Sequence, residues 1–366
     1  MKGTYAYVKT AVYFFVYLLL IQIFLPYLTP GQFIYDQRLN YDLVKNRPTN
    51  MEAVLEQVKL TIDREELREY AVLLGDSVAY SNPGQASESI ASRLNEMWAA
   101  EGAGYPVFNL AMPAMQTGDV YTMLLAMHRH GISSDRLILD VTYAGFIERD
   151  PEPPAVYWLA EQLKYLDSAA YEKIEPILPD YARISPVKIT DFSAINRRFG
   201  TLLFENVNFL KYKDLWQSYF IRHYRQLRNQ PEAPPTPTQP WFTKGFLPEL
   251  LQQPEYQRDF NDAPFVMADS NPQCYFLDKI LELQQGKSTI IFLSGVNPAL
   301  MEENINKPGY QENLAKIDEY FEDKDVIYLN TYYLIDDEMF SDHMHLTSDG
   351  YCFLARILLA QMEQWP

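Results

Sequence analysis

The chain has 366 residues, of which 48% are hydrophobic and 14% aromatic, and its formal net charge is -17. This composition excludes a disordered chain, and the length allows more than one compact unit. The negative charge argues against nucleic acid as a partner, because phosphate binding needs a basic surface. The two cysteines, Cys274 and Cys352, exclude a disulfide framework. One disulfide or two free thiols both stay open, and the apolar helical pattern around Cys352 favours its burial.

The first predicted element is a membrane anchor. Residues 10–28 carry no charged side chain and are about long enough to span a bilayer as a helix. Lys2 and Lys9 precede this run, which predicts a cytoplasmic N-terminus. No small-residue cleavage site follows, so we predict an uncleaved signal anchor in residues 1–30, a single-pass protein in the cell membrane, and an extracytoplasmic remainder. A cleaved signal peptide and a buried core helix are the alternatives.

The next segment, residues 31–68, is predicted to be a stalk or docking segment. Asn50 is placed to cap a helix in which Val54, Leu55 and Val58 form one face.

Strands then alternate with helices. The predicted strands are residues 70–74, which form a buried apolar run, and residues 106–110, 137–141, 289–293 and 326–329. The predicted helices are residues 84–100, a helix from Thr117, one that carries Leu314, Ile317 and Phe321, and a last one capped by Thr347 with Leu354, Ile357 and Leu358 inward. This alternation predicts an α/β fold with a parallel sheet covered on both faces, built from residues 69–147 and 281–366.

Residues 148–280 interrupt the alternation and are predicted to be a mostly helical insertion or cap. A proline-rich loop lies within it, at Pro231, Pro234, Pro235, Pro237 and Pro240. The insertion either shields the core or forms a lid that shapes an acceptor site, and the two roles are compatible.

Ser77 is the candidate nucleophile. It ends a Gly-Asp-Ser triplet that directly follows the first strand. Ligands of doubly wound sheets bind at the carboxyl ends of the strands, so the hydroxyl and the backbone N–H of Ser77 are expected at the site. A turn or helix-capping serine is the alternative.

The candidate base is His345, in an Asp-x-x-His block just before the last helix. The three-residue spacing lets the Asp342 carboxylate hold the imidazole Nδ1–H, which leaves Nε2 free as a base. A polar surface loop is the alternative, and His343 is a competing base. His128 and His130 lie on a predicted helix and are interpreted as surface or packing residues. No metal-binding pattern is present, and we predict neither a metal nor another cofactor.

The triplet at Ser77 and the late block with Asp342 and His345, in this order and separation, resemble the SGNH (GDSL) hydrolase superfamily. The resemblance covers roughly residues 69–147 and 287–366. It implies a flavodoxin-like α/β/α sandwich in which Ser77 is the nucleophile and His345 and Asp342 complete a catalytic triad.

Two further blocks of that family match less well. The second block usually reads Asn-Leu-Gly with a glycine soon after; here it starts at Asn109, and the backbone N–H of Ala114 takes the glycine's place in the oxyanion hole. The third block usually supplies an asparagine amide; residues 140–146 contain none, and Thr142 and Tyr143 are the candidate substitutes. Losing one such donor typically costs about 100- to 1,000-fold in rate, so fast hydrolysis of ordinary esters is not expected.

That departure and the single N-terminal anchor resemble membrane-anchored SGNH-like O-acyltransferases of bacterial envelope glycans, similar to alginate and peptidoglycan O-acetyltransferases and the D-alanine transfer protein of teichoic acid synthesis. The resemblance implies an extracytoplasmic acyltransferase that O-acetylates a cell-envelope or secreted polysaccharide through an acyl-serine, beside a multipass membrane O-acyltransferase. The alternatives are a carbohydrate esterase (deacetylase) that uses water as acceptor, and a catalytically inactive scaffold for the membrane O-acyltransferase.

Overall fold

The computed structural model describes residues 2–45, 47–101, 104–148, 152–184, 203, 206–228 and 238–365. The chain forms two compact units. The N-terminal unit comprises Met1–Asp36, Asn40–Glu66 and Ser185–Pro234, and the sheet unit comprises Gln37–Leu39, Leu67–Ile184 and Pro235–Pro366.

The N-terminal unit begins with helix Lys2–Leu28. Its segment Tyr7–Leu28 has a mean hydropathy of 2.1 and is long and apolar enough to cross a membrane, judged by length and composition. The predicted apolar helix is therefore present. The other elements of this unit are Gly31–Ile34, Tyr35–Asp36, Tyr41–Val44, Pro48–Asn50, Met51–Arg64, Asn208–Lys211 and Lys213–Leu227.

The segment predicted as a stalk is folded and has a core of its own. Buried side chains in it include Ile34, Leu43, Val44, Val54, Leu55, Val58 and Ile62. The predicted capping role of Asn50 is wrong. Asn50 precedes helix Met51–Arg64, but its side chain makes no cap hydrogen bond; instead its Nδ2 donates to Leu43 O at 2.7 Å. Asn50 thus ties the helix start to the preceding turn.

The sheet unit is built on five parallel strands. They are β1 (Ala71–Leu74), β2 (Val107–Asn109), β3 (Arg136–Thr142), β4 (Ser288–Ser294) and β5 (Ile327–Asn330). Each strand begins and ends within two residues of its predicted position. A two-residue strand, Arg38–Leu39, adds to the outer edge of β2 in parallel.

The strand order is β2-β1-β3-β4-β5. This is a doubly wound order, in which the direction of winding reverses between β1 and β3 and leaves a crevice at the carboxyl ends of these strands. All four residues of β1 are fully buried, as expected for a strand covered on both faces. The predicted α/β class with a parallel sheet is confirmed.

Helices flank the strands in pairs. Ile90–Glu101 packs on the last helix, Ser348–Met362, and Thr117–Arg129 packs on Pro272–Gln284. The first of these begins later than predicted, after a short 3-10 turn at Ala86–Glu88. The other helical elements of the unit are Tyr143–Phe146, Ala160–Leu166, Ser168–Ile174, Glu175–Ile177, Trp241–Thr243, Leu247–Leu250, Pro254–Arg258, Glu302–Ile305, Pro308–Glu322 and Asp337–Met339.

Thr347 caps the last helix as the sequence predicts. Its Oγ1 accepts a hydrogen bond from Gly350 N at 3.2 Å, which satisfies a donor of the first helical turn. Leu354 and Leu358 of this helix are buried.

In the described part of residues 148–280, all regular elements are helical. Residues 148–184 and 235–280 fall in the sheet unit, and 185–234 fall in the N-terminal unit. Of the proline-rich loop, Pro231, Pro234, Pro235 and Pro237 lie outside the described residues, and Pro240 precedes the turn Trp241–Thr243.

Both cysteines are free thiols. Cys274 is buried, and burial raises the pKa of its thiol to about 11. Cys352 is half-buried rather than fully buried.

Candidate active site

The turn that carries Ser77 begins at the end of β1. Gly75 adopts a φ of +145°, and a Cβ there would lie 2.3 Å from the Cβ of Asp140. Only glycine fits this close approach of two strand ends. The chain then curls back, since Asn82 N donates to Ser77 O at 2.9 Å and Val78 N donates to Asp76 Oδ1 at 2.8 Å. Ser77 is left half-buried at the crevice.

Arg38 braces this turn from the short edge strand. Its guanidinium donates to the backbone oxygens of Tyr80 at 2.8 Å, Ser81 at 3.1 Å and Gly84 at 2.7 Å. It also stacks on the Tyr80 ring, with its Cζ 4.1 Å from the ring centroid. Nothing in the sequence around Arg38 indicated this role, because the partners are about 42 to 46 residues away.

The two distant motifs meet at this turn. His345 Nε2 lies 2.8 Å from Ser77 Oγ, and His345 Nδ1 lies 2.9 Å from Asp342 Oδ2. The other oxygen of Asp342 accepts the backbone N–H groups of Met344 at 3.0 Å and His345 at 2.8 Å. The carboxylate therefore shapes its own turn and orients the imidazole, in the serine–histidine–aspartate arrangement.

The charges of the triad are set by burial and by each other. Burial alone would lower the pKa of His345, but the hydrogen bond and negative charge of Asp342, with a contribution from Asp76, raise it above its usual value. Burial alone would raise the pKa of Asp342, but the hydrogen bond and charge of His345 hold it well below its usual range. Asp342 thus stays ionised and stabilises a protonated His345.

His343, the competing base, is placed elsewhere. Its Nδ1 is 3.7 Å from Asp342 Oδ1, and its ring stands edge-on to Tyr256 and Phe260. Burial lowers the pKa of His343 to about 4, so this imidazole is neutral at physiological pH.

The two helix histidines are also placed outside the triad. His128 Nε2 lies 2.9 Å from Ser134 Oγ, and His130 follows the end of helix Thr117–Arg129. His128 is exposed and His130 is half-buried.

Lys244 supports the turn before Asp342. Its ammonium donates to the backbone oxygen of Ser341 at 2.8 Å and to Ser341 Oγ at 3.0 Å. Next to this contact, Trp241 N donates to Phe340 O at 2.9 Å. The segment that follows the proline-rich loop therefore holds the triad's acid in place.

Two backbone N–H groups are candidates for an oxyanion hole. Ala114 lies in the turn after β2, is exposed, and has a φ of +62°. Among the residues that the structure describes, neither Ala114 N nor Ser77 N donates to a protein acceptor. Both donors are thus available to a ligand.

Thr142 and Tyr143, the two candidate side-chain donors of the oxyanion hole, lie in different surroundings. Thr142 ends β3 and lines a small cleft together with Asp76 and Asp140. Tyr143 is turned into the core, where its hydroxyl donates to Asn261 O at 2.8 Å and accepts from Asn313 Nδ2 at 3.0 Å. The Tyr143 hydroxyl is committed to these partners, so the expectation that it serves the oxyanion hole is not met.

Asn109, which begins the second block, joins the two turns of the site. Its Nδ2 donates to Ala79 O at 2.8 Å, and its Oδ1 accepts from Ala111 N at 3.0 Å. The residue is fully buried. It therefore fixes the Ser77 turn relative to the chain that leads to Ala114.

An acidic pair that no sequence motif indicated lies next to Ser77. Asp140 is buried near the end of β3 and bonds to Asp76, while its Oδ1 accepts from Ser294 Oγ at 2.5 Å and its Oδ2 from Ala79 N at 3.3 Å. Burial, and then the charge of Asp76, raise the pKa of Asp140 well above its usual value. A protonated Asp140 can donate to the Asp76 carboxylate. The available signal was an acidic residue inside an apolar strand.

A second missed carboxylate, Asp119, organises the other side of the site. It is fully buried and accepts four backbone N–H groups at 2.8 to 2.9 Å, from Gln116, Tyr157, Trp158 and Leu159. Burial raises its pKa to about 6, against the effect of these bonds. The carboxylate fastens residues 157–159 to the start of helix Thr117–Arg129.

The bonds to Asp119 place two aromatic residues, Tyr157 and Trp158, beside the turn that carries Ala114. Trp158 Nε1 donates to Pro113 O at 2.9 Å, next to Ala114. Tyr157 is 44% exposed, and its ring centroid is 4.7 Å from that of Trp158. An exposed tyrosine ring thus lies against Trp158, whose indole is bonded to the residue before Ala114.

Within the described part of the chain, no three histidine, cysteine, aspartate or glutamate residues are grouped to hold a metal ion. No protein-family model matches the chain, and no curated protein matches it.

Proposed function

We propose that the protein is a membrane-anchored, extracytoplasmic serine acyltransferase of the SGNH hydrolase superfamily, which O-acetylates a cell-envelope or secreted polysaccharide. The observation that carries this proposal is the hydrogen-bonded series from Ser77 Oγ to His345 Nε2 at 2.8 Å and from His345 Nδ1 to Asp342 at 2.9 Å. The doubly wound strand order and the place of Ser77 after β1 support the family assignment.

The first half-reaction transfers the acyl group to the enzyme. Ser77 Oγ attacks the carbonyl carbon of an acyl donor while His345 Nε2 takes the hydroxyl proton. The negative oxygen that develops accepts the N–H groups of Ser77 and Ala114. When the bond to the leaving group breaks, the leaving oxygen takes the proton from His345, and an acyl ester of Ser77 remains.

The second half-reaction repeats these roles with another alcohol. A sugar hydroxyl gives its proton to His345 Nε2 and attacks the acyl-serine carbonyl. The bond to Ser77 Oγ breaks, the serine recovers the proton, and an O-acyl sugar leaves. Water in place of the sugar gives hydrolysis by the same steps, so the acceptor alone separates a transferase from an esterase.

The aromatic pair at the site favours a sugar acceptor. Sugar rings present apolar C–H faces that pack on aromatic rings, and Tyr157 and Trp158 offer such rings beside the Ala114 turn. A stacked acceptor also holds its hydroxyl near the acyl group and reduces access of water.

The apolar segment Tyr7–Leu28 supports the membrane location. Because activated acyl thioesters are made in the cytoplasm, an extracytoplasmic serine needs a carrier of acyl groups through the membrane. A multipass O-acyltransferase that delivers the acyl group to Ser77 fits this requirement.

The test uses the full-length chain in detergent with a 4-nitrophenyl acetate donor, with and without oligosaccharides of alginate or peptidoglycan. Nitrophenolate release reports acylation of the enzyme, and mass spectrometry of the sugar reports transfer. We expect acetylated sugar from the wild type and none from Ser77→Ala. Release without transfer to any sugar would identify an esterase. A folded wild-type protein that neither releases nitrophenolate nor transfers acetyl would indicate a scaffold.

A further inference from the structure

Helix Lys213–Leu227 of the N-terminal unit presents an apolar surface that is exposed among the residues the structure describes. From Phe220 to the helix end, every side chain is exposed. The exposed fraction is 61% for Phe220, 56% for Tyr224 and 83% for Leu227. Large apolar side chains grouped in this way mark an interaction surface rather than a core.

The helix is amphipathic over this exposed part. At about 100° per residue, Phe220, Tyr224 and Leu227 lie on one side. Arg222 and Arg225 lie on the other. The Trp216 ring extends the apolar side by one turn, since it contacts the Phe220 ring at 5.4 Å. Aromatic residues on one side and arginines on the other are typical of helices that lie in a membrane interface.

The chain that leads into this helix is fastened to the membrane-crossing segment itself. Asn208 N donates to Gln22 Oε1 at 2.8 Å, and Asn208 Nδ2 donates to Gln22 O at 2.6 Å. Gln22 Nε2 in turn donates to Asn206 O at 2.7 Å. Residues 206–208 are therefore held beside a residue inside the apolar run Tyr7–Leu28.

The depth of this contact follows from helix geometry. The 22 residues of Tyr7–Leu28 rise about 33 Å, close to the apolar thickness of a bilayer. Gln22 lies about 9 Å along the axis before Leu28. Phe209, adjacent to the fastened Asn208, is 57% exposed. Asn208 is thus held within about 9 Å of the end of the apolar run, on the Leu28 side, a few residues before helix Lys213–Leu227 begins.

We propose that helix Lys213–Leu227 lies in the lipid interface on the side where the chain leaves the membrane. Phe220, Tyr224 and Leu227 enter the boundary between headgroups and acyl chains, and Arg222 and Arg225 face the aqueous headgroup region. The inference rests on the proposed anchoring of helix Lys2–Leu28 in the membrane. The apolar side formed by Phe220, Tyr224 and Leu227 therefore contacts lipid, and no partner protein is needed to cover it.

The test uses full-length protein in vesicles of phosphatidylcholine whose acyl chains carry bromine, which quenches tryptophan at short range. Two variants are compared as matched tryptophan reporters. Tyr224→Trp places the new tryptophan on the apolar side of the helix, and Gln226→Trp places it two residues away on the opposite side. A third, Phe14→Trp, reports insertion of the first helix. Because interfacial helices sit roughly 5–10 Å into the headgroup–acyl boundary, the added emission of Tyr224→Trp should fall about twofold relative to unbrominated vesicles.

The emission added by Gln226→Trp should stay nearly constant, and that added by Phe14→Trp should be quenched. Quenched Phe14→Trp with unquenched Tyr224→Trp overturns the inference and points to a protein partner for the apolar side. Equal quenching of both helix reporters also overturns it, because the helix would then be immersed. Unquenched Phe14→Trp overturns the anchor and the inference together, whereas nitrophenolate release, measured on the same samples, tests the catalytic proposal separately.

Discussion

The side-chain amide of Asn109 donates to the backbone oxygen of Ala79 at 2.8 Å, and its carbonyl accepts from Ala111 N at 3.0 Å. One buried side chain therefore links the turn of Ser77 to the turn of Ala114. The relative positions of Ser77 and Ala114 depend on this link.

Asn109→Ala should lower kcat about 100-fold while KM for a small ester changes little, because a shift near 1 Å in the reacting groups costs about this factor. Steady-state kinetics with 4-nitrophenyl acetate measure both constants. Asn95→Ala is the matched control, since Asn95 makes the same pair of bonds to Val107 at the far end of β2. Equal losses of kcat in both variants would show that Asn109 acts through stability alone.

Ser77→Ala should abolish nitrophenolate release and sugar acetylation while the unfolding midpoint stays within a few degrees. The hydroxyl is half-buried and bonds to His345, so its removal leaves no core cavity. Thermal unfolding followed by circular dichroism checks the fold. Ser133→Ala, at a half-buried surface turn, should keep full activity. Activity that survives in Ser77→Ala would identify another nucleophile.

The pH profile should show an acid limb set by His345. The base must be neutral, and Asp342 with Asp76 raises the pKa of His345 above its usual value of about 6.5. kcat/KM should therefore rise with pH through an apparent pKa above about 6.5. Asp342→Asn should lower kcat by roughly 10⁴-fold, the loss found for the equivalent change in serine proteases, and move the limb to lower pH. A limb near pH 4 in the wild type would point to His343.

Asp140→Asn should become more stable than the wild type as pH rises from 5 to 8. The folded chain keeps the Asp140 proton, because burial and Asp76 raise its pKa, while the unfolded chain releases it above about pH 3.9. Wild-type stability then falls with pH, by at most about 1.4 kcal/mol per unit, until the folded pKa is passed. Asparagine has no such dependence and can still donate to Asp76. A constant difference in urea unfolding free energy across this pH range would show that Asp140 is ionised.

Tyr157→Ala should reduce sugar acetylation by about fivefold, as expected for losing one aromatic contact of roughly 1 kcal/mol. Release of nitrophenolate without sugar should stay nearly unchanged, because the backbone N–H of Tyr157 still bonds to Asp119. Tyr165→Ala, whose ring is 65% exposed on helix Ala160–Leu166, is the control. A parallel fall of both reactions in Tyr157→Ala would remove the proposed acceptor contact.

The strands were predictable because each is a short, largely apolar run bounded by turn residues; four of them are mostly buried, and β5 is half-buried. Two other features were also indicated locally: Gly75 predicted a tight turn, and Thr347 predicted a helix cap. Asn50 shows the limit of such signals, since its amide bonds to Leu43 O instead of the helix start. Which of two nearby acceptors a polar side chain uses depends on packing that the sequence does not display.

The candidate site was predictable where its residues fall in two local motifs, as Ser77 and His345 do. The supporting residues Arg38, Asp119 and Asp140 were not, because their partners lie far along the chain. Tyr143 was expected at the oxyanion hole from its position after β3. Stacking on Tyr310, with ring centroids 3.9 Å apart, places it in the core instead.

The sheet unit is discontinuous, with Ser77 in Leu67–Ile184 and His345 in Pro235–Pro366. A chain synthesised from its N-terminus contains Ser77 long before His345, which is 268 positions later. An incomplete or truncated polypeptide therefore displays a serine without a proton acceptor. The Ser77–His345 contact can form only when both parts of the sheet unit have folded together, so on the proposed function the completion of folding would be the activating step.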